Sequence, residues 1–291
     1  MESSAALNFS LVLATIGRTS ELQRFLEHLQ RQSHKKFELI IVDQNADDRL
    51  LPLIKPYRRC FPIIHCKSAI GLSRARNVGL QLTSGNVIAF PDDDCWYSED
   101  LLERVASLFL ENPGLDCITG RPLDPRAHGF HASSGPVDRW NAFRRGISYT
   151  IFVRQRVVAK IGGFDESLGL GAQSGRIAAE ETDYLLRALE ASCSAFYYAD
   201  LRVFHGGSQL VYEDGVIRRQ YGSGLGFGYV LRKHRYPYRY VLQTWLRPLG
   251  SACLSILGGN LPKARYHYSA LKGRIDGWLR DRRPPNTGVH P

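Results

Sequence analysis

Between Asn8 and Leu110 the sequence keeps changing its hydrophobic period, and this alternation restricts the fold more than any other property of the chain. Asn8–Ala14 (NFSLVLA) and Phe37–Val42 (FELIIV) are continuous apolar, β-branched runs of strand length. Between them Leu22, Phe25, Leu26 and Leu29 recur at helical spacing, with Thr19 or Ser20 as a natural N-cap. A third short strand is expected at Pro62–Cys66, a helix at Leu72–Leu82, and a fourth strand at Asn86–Phe90, ended by Pro91. Ser98, Glu99 and Asp100 then open a helical stretch to Leu110 with the charge that a helix N-terminus favours. Apolar strands that alternate with helices predict a largely parallel α/β sheet covered by helices. Ligands of such sheets bind at the carboxyl ends of strands, which directs attention to Ala14–Arg18, Asp43–Asn45 and Asp92–Asp94.

After residue 115 the pattern is mixed. Asp116–Gly120 and Ser148–Val153 read as strands around an irregular stretch, Arg121–Gly146. Lys160–Glu190 runs from loop into helix, and Ala195–Phe204 is a further strand. Beyond Glu213 the signal is helical, at Val216–His234, Tyr240–Leu257 and Ala264–Leu279, with breaks at Pro237 and at Gly258, Gly259 and Pro262. The alternating glycines of Tyr221–Tyr229 suit close helix packing, and the ending after Leu279 is expected to be disordered.

Charge divides the chain in the same place. The formal net charge is +10, yet residues 1–212 balance 24 Lys/Arg against 24 Asp/Glu, while residues 213–291 hold 14 Lys/Arg and 4 Asp/Glu. A neutral body with a basic tail, lacking any recognised basic nucleic-acid module, speaks against a nucleic-acid partner. With 44% hydrophobic residues the chain can bury a core, which excludes a wholly disordered chain, and 27 Gly without a repeat excludes a collagen-like one. Six scattered cysteines show no CxxC pair or zinc spacing, and Glu2, Asn8 and Ser10 do not suit a signal peptide. Reduced thiols in a cytoplasmic protein are the expectation. Val241–Leu257, interrupted by Gln243, Arg247 and Pro248, falls short of the about 18–20 apolar residues that span a bilayer. Flanked by Arg232, Lys233, Arg235 and Arg239, it suits either an anionic membrane surface or a helical cap with a solvated basic face.

Three features carry chemistry. Phe90–Trp96 (FPDDDCW) sets three repelling carboxylates directly after a strand, where a hard divalent cation, Mg²⁺ or Mn²⁺, shared with substrate phosphates would relieve them. An acidic turn capping the next helix is the plainer alternative, though a cap needs one acid. Gly71–Gly79 (GLSRARNVG) places Arg74 and Arg76 at a helix start, a poor position for arginine unless an anion is present. One would meet a pyrophosphate and the other solvent or the acidic cluster; a solvated basic face is the bland reading. Ala178–Glu190 puts Glu180, Glu181 and Asp183 at a helix start ahead of a Leu185, Leu186 and Leu189 stripe, either for dipole reasons or as a general base. Neither GxxxxGK[ST] nor a strand-linked GxGxxG is present, against a P-loop ATPase or a dinucleotide dehydrogenase.

In order and spacing, VLATIGR with Thr15 and Arg18, the strand-end Asp43, ARNVG (Ala75–Gly79), PDDD (Pro91–Asp94), GGFDE (Gly162–Glu166) and EETDYLLR (Glu180–Arg187) form a set. On these residues, over about residues 8–205, the chain resembles the family 2 glycosyltransferases of the inverting GT-A fold. The tail more loosely resembles bacterial exopolysaccharide-type members. The resemblance implies a Rossmann-like, mostly parallel central sheet flanked by helices, with a C-terminal helical extension. It implies a catalytic domain at 1–212, with a nucleotide-sugar half at about 8–120 and an acceptor half at 121–212. A basic helical extension at 213–282 and a disordered tail at 283–291 would follow.

By the same resemblance Thr15 and Asp43 line the base and ribose pocket, Arg76 approaches the diphosphate, and Asp92 faces the ribose. Arg18 and Asp93 join the nucleotide-sugar site. Asp94 holds the metal with Asp92 and His205. Glu181 is the base, with Glu180 and Asp183 as alternates, because Glu180-Glu181 stands where relatives carry Glu-Asp. The opening also departs from the Pro-Thr-Tyr-Asn-Arg pattern at Ala14, Ile16 and Gly17. The implied partners are a nucleoside diphosphate sugar, a UDP-sugar first among them, and a saccharide or polyprenyl-linked acceptor. The implied place is the inner face of the plasma membrane. A metal-dependent nucleotidyltransferase, which would release pyrophosphate, or a non-catalytic sugar-nucleotide binder could use the same acids.

Overall fold

A computed structural model describes residues 7–123, 132–207 and 211–280; the tail expected to be disordered, 283–291, lies outside the described residues. The chain divides into two compact units, one of Met1–Asp165 with Glu181–Gln209, the other of Glu166–Glu180 with Leu210–Pro291.

The first unit is built on a nine-stranded mixed sheet. Its elements begin with β1 (Phe9–Thr15), α1 (Ser20–Gln30), β2 (Phe37–Asp43), α2 (Leu51–Ile54), β3 (Ile63–Lys67), α3 (Leu72–Leu80), β4 (Val87–Ala89), β5 (Cys95–Tyr97) and α4 (Leu101–Glu111). They continue with β6 (Cys117–Leu123), β7 (Gly135–Pro136), α5 (Ala142–Arg145), β8 (Ile151–Arg154), α6 (Gln155–Ile161), α7 (Glu180–Glu190) and β9 (Ala195–His205). Strand order is β3-β2-β1-β4-β8-β6-β9-β5, with β7 on β9. The first four strands run parallel, as does β6 with β9; β4–β8, β6–β8, β5–β9 and β7–β9 are antiparallel.

The expected alternation explains the core. All of β1 is buried, because both sheet faces are covered. Phe9, Leu11 and Leu13 join Leu22, Phe25, Leu26 and Leu29 of α1 on one face. Across the sheet α3 approaches so closely that a Cβ on Gly79 would lie 2.4 Å from Val12 Cγ1. The helix α4 begins at Leu101 rather than Ser98; Ser98 Oγ instead bonds Asp100 Oδ1 at 2.7 Å just ahead of it. The three-residue β5 is too short for any period to reveal.

The second unit contains α8 (Asp214–Lys233), α9 (Tyr238–Leu257) and α10 (Leu261–Leu279). The glycines of α8 serve two faces. Cβ atoms on Gly224 and Gly228 would meet the carbonyl oxygens of Ala270 and Arg274 in α10 at 2.7 and 2.2 Å. On Gly222 and Gly226 they would meet those of Gly175 and Ala178 at 2.9 and 2.2 Å. Arg274 of α10 donates to the Thr244 carbonyl of α9 and lies over Phe227 of α8. Among the described residues no helix is long and apolar enough to cross a membrane.

Gly228→Ala forces backbone apart and is expected to destabilise the protein by about 1–3 kcal/mol in urea unfolding. Gly250→Ala, in α9 with nothing within 4 Å of the new Cβ, is expected to be neutral or to stabilise by up to about 1 kcal/mol. Equal effects of the two would contradict the packing described.

Candidate active site

The strand order β2-β1-β4 sets three carboxyl-terminal strand ends side by side, and with them Asp43, Thr15 and the acidic run. A backbone bridge between Ala14 and Asp92 fixes that run against β1. The sequence alternation therefore decides which polar side chains meet.

The three acids face different partners. Asp93 is buried; its Oδ2 accepts from Thr15 Oγ1 at 2.7 Å and its Oδ1 from Arg18 Nη1 at 2.6 Å. The same Arg18 nitrogen lies 2.5 Å from Asp94 Oδ2, so one guanidinium edge bridges two adjacent carboxylates. Burial pushes the Asp93 carboxyl up to about 6, and the help of Thr15 and Arg18 does not offset it. Burial acts on Asp94 too, but His205 and Arg18 outweigh it and hold its carboxyl below the usual range. Although burial opposes it, Asp93 and Asp94 raise Arg18 in turn.

Asp92 points elsewhere. Its Oδ1 lies 2.9 Å from Nη2 of Arg76, a fully buried arginine, while Arg74 is exposed. Of the two arginines it is Arg76 that meets the acidic cluster. Ser148 Oγ lies 3.4 Å from both Asp92 carboxylate oxygens.

His205, at the end of β9, stands opposite Cys95 in the antiparallel β5–β9 pair, which brings its Nε2 to 3.0 Å from Asp94 Oδ1. Its ring stacks on Tyr149 at 4.9 Å. Asp92, Asp94 and His205 thus offer two carboxylates and an imidazole whose ligand atoms all lie within 4.8 Å of one another. Two hard oxygens and one borderline nitrogen form a donor set that suits Mn²⁺ or Mg²⁺. These side chains fit such an ion.

Asp43 is wholly buried. Its Oδ1 accepts from Asn45 N at 2.8 Å and Asn45 Nδ2 at 2.7 Å, while its Oδ2 faces Lys67 Nζ at 2.9 Å and His65 Nε2 at 3.1 Å. Lys67 is the register partner of Asp43 across β2 and β3, a pairing that sequence spacing does not display. Neither His65, Lys67, Ser148 nor Tyr149 was legible as a site residue from sequence.

The remaining motifs converge on Phe164. Asn77 of the ARNVG stretch accepts from Phe164 N at 2.6 Å and donates to its carbonyl at 3.0 Å. The Phe164 ring packs on Phe90 at 4.9 Å and on Tyr184 at 4.4 Å, with the Arg76 guanidinium 5.3 Å away. Glu181, half-buried, lies one helical turn before Tyr184. Asp183 is fully buried and bonded by Arg187 Nε at 2.9 Å; Arg187 also holds the Ile161 and Gly163 carbonyls, each at 2.7 Å. That pair ties α7 to the GGFDE segment. Glu180, also buried, is the first residue of α7 and belongs to the second unit.

The hydrogen bonds from Lys67, Asn45 and His65 outweigh burial and hold the Asp43 carboxyl below its ordinary value. Such a group stabilises the fold above the unfolded pKa of about 4 and loses that contribution as pH falls through its depressed value. Asp43→Asn is therefore expected to cost about 2–3 kcal/mol in denaturant unfolding at pH 7. The deficit relative to wild type should narrow below about pH 4. A deficit that widens there would contradict the charge arrangement.

A family model described as Glycosyl transferase family 2 matches residues 10–152, the stretch that carries Thr15, Asp43, Arg76 and all three acids. The glycosyltransferase AglE of Haloferax volcanii is 24% identical over 283 residues, covering 89% of this chain and 83% of that protein. Over two other curated relatives, an uncharacterized glycosyltransferase of Haemophilus influenzae and a PGL/p-HBAD biosynthesis glycosyltransferase of Mycobacterium bovis, the match spans less, 62% and 64% of their length. Two solved structures share the fold. The mannosyltransferase PcManGT of Pyrobaculum calidifontis, in complex with GDP-Man and Mn²⁺, has a TM-score of 0.64 at 12% identity, covering 94% of this chain and 88% of that one. Residues 1–349 of S. aureus TarS, in complex with UDP-GlcNAc, have a TM-score of 0.61 at 15% identity, covering 92% and 93%. The fold is that of GT-A glycosyltransferases with added C-terminal helices. With a family match that runs through the strand ends on which the acids, Thr15 and Asp43 meet, residues 10–152 form a family 2 glycosyltransferase domain.

Proposed function

We propose that this glycosyltransferase moves a sugar from a nucleoside diphosphate sugar, a UDP-sugar first among the candidates, to a hydroxyl of a saccharide or polyprenyl-linked acceptor. The transfer is a single inverting displacement that serves cell-surface polysaccharide synthesis at the cytoplasmic side of the plasma membrane. The observation that carries this reading is the Asp92–Asp94–His205 cluster, set beside Arg76 at the strand ends. The nucleotide-sugar complexes named for TarS and PcManGT, and the Mn²⁺ of the latter, support it by analogy.

In this reading residues 8–120 form the donor half, and 121–212 the acceptor half. Thr15 and Asp43 bound the nucleoside pocket, with Asp92 toward the ribose. Arg76, whose guanidinium is already buried against Asp92, stabilises the departing diphosphate. Asp92, Asp94 and His205 would hold a divalent cation, which supplies Lewis-acid stabilisation of the leaving phosphate oxygens. Arg18 neutralises Asp93 and Asp94 and can turn from them toward the donor phosphates.

Glu181 accepts the acceptor hydroxyl proton as that oxygen bonds to the anomeric carbon. The bond from that carbon to the phosphate oxygen breaks, and the nucleoside diphosphate carries away the electron pair. No enzyme nucleophile is needed. Asp183 is committed to Arg187 and Glu180 is buried, which favours the half-buried Glu181 as base.

Asp94→Asn is expected to abolish the Mn²⁺-dependent part of the thermal shift given by a UDP-sugar and to lower turnover about 10²-fold or more. Glu181→Gln should retain that shift and lose about 10²–10⁴-fold in transfer, followed by release of nucleoside diphosphate. Near-normal turnover in this variant would reject the base assignment. Because Arg18 and the cation answer the same carboxylate charge, Arg18→Ala is expected to bind Mn²⁺ several-fold more tightly in the absence of nucleotide. Electron paramagnetic resonance of free Mn²⁺ measures this directly, and weaker binding would show that Arg18 supports the site rather than competes for it.

A further inference from the structure

The helix α9 turns one face inward and, among the described residues, leaves another exposed. Val241, Pro248, Ala252 and Ser255 form its buried face. Beside that face Tyr238, Leu242, Leu246, Leu249, Cys253 and then Ile256 and Leu257 follow one another at helical spacing, Cys253 exposed and the others each 45–83% exposed. Leu254 borders this stripe at 71% exposure and Leu261, at the start of α10, extends it at 62%. Twenty residues of helix give a stripe about 30 Å long. Scattered exposed leucines are ordinary in water; a contiguous stripe of them marks a binding surface.

Charge identifies what covers it. The helix contains no Asp or Glu, and its charged residues, Arg239 and Arg247, are exposed. Arg232 and Arg235 add exposed cations just ahead of it. The acids of the neighbouring helices are engaged on α10: Asp214 faces Arg265 at 3.3 Å, and Asp276 faces Lys272 at 2.8 Å and Arg280 at 3.2 Å. A second copy of the chain laid stripe to stripe would bring the arginines of both helices together with no acid between them. An anionic lipid surface meets both properties, with leucines below the headgroups and guanidinium groups on the phosphates.

We infer that α9 is a membrane-docking helix that lies flat in the headgroup region of an anionic bilayer, inserting Leu242, Leu246, Leu249, Ile256 and Leu257 and setting Arg239 and Arg247 against lipid phosphate. This gives the membrane part of the proposed function a specific element, and it does not depend on the transfer chemistry.

The test is flotation of the full chain with vesicles of phosphatidylcholine alone or with 30% phosphatidylglycerol, at about 50 mM and 500 mM salt. The wild type should float with the anionic vesicles at low salt and be largely absent from the neutral ones. Leu246→Glu with Leu257→Glu should lower partitioning on the order of 100-fold. Arg239→Gln with Arg247→Gln should lower it roughly 10-fold or more, on the anionic vesicles alone. Both double variants should keep the wild-type melting temperature and UDP-sugar thermal shift, which separates loss of docking from loss of fold or donor binding. Equal flotation on both vesicle types, or leucine variants that float like wild type, would overturn the inference. So would a sedimenting dimer that the leucine variant dissociates in a protein that binds neither vesicle.

Discussion

Three adjacent carboxylates cannot share the end of a strand unless each is answered by its own cation or donor. That constraint organises the catalytic unit. Asp92 is met by Arg76 from α3, Asp93 by Thr15 from β1, and Asp94 by His205 from β9, while Arg18 spans the last two. The partners come from three segments dispersed through the chain, the end of β1, α3 and the end of β9, so the acidic run acts as the point where those segments are held in register. Removing one partner leaves a buried or half-buried carboxylate less well compensated, which costs more than a surface ion pair gains. The unequal surroundings also separate the acids chemically, with Asp93 drawn toward neutrality by burial and Asp94 held below the usual carboxylate range by His205 and Arg18.

Much of this was readable from sequence where local pattern and tertiary environment agree. The strands β1 and β2 are continuous apolar runs because helices cover both faces, and the strand-end rule then selected Thr15, Asp43 and the acids. The helices α8, α9 and α10 followed from their period, and the alternating glycines of α8 are indeed packing contacts. What stayed hidden is non-local. Lys67 meets Asp43 only through the β2–β3 register. The strand β5 is three residues long, and its pairing with β9 is what delivers His205 to Asp94. The Asp183–Arg187 pair has a readable i,i+4 spacing, yet its anchoring to the Ile161 and Gly163 carbonyls has none. Nor does chain order disclose that residues 166–180 cluster with the C-terminal helices.

The second unit shows how the same composition supports opposite surfaces. In α8 glycine removes side chains so that backbones touch. In α9 large apolar side chains remain outside, and the closing contacts are made by Val241, Pro248, Ala252 and Ser255. A helix stabilised mainly by tertiary packing would ordinarily bury its leucines. Here only a narrow strip of small or short residues is buried, so the fold of this unit depends little on the identity of the exposed leucines.

The pairing of Cys95 with His205 spans 110 residues of chain. During synthesis the acidic run, β1 and β2 can form long before β9 exists, yet the imidazole that completes the cluster arrives with nearly the last residue of the sheet. Closing so large a loop makes this contact entropically late. A fragment ending with the family match at residue 152 would keep Thr15, Asp43, Arg76 and all three acids, but not the histidine. The Asp92–Asp94–His205 arrangement is thereby placed under the control of finished folding, and under the proposed function an incomplete chain would be a poor competitor for metal.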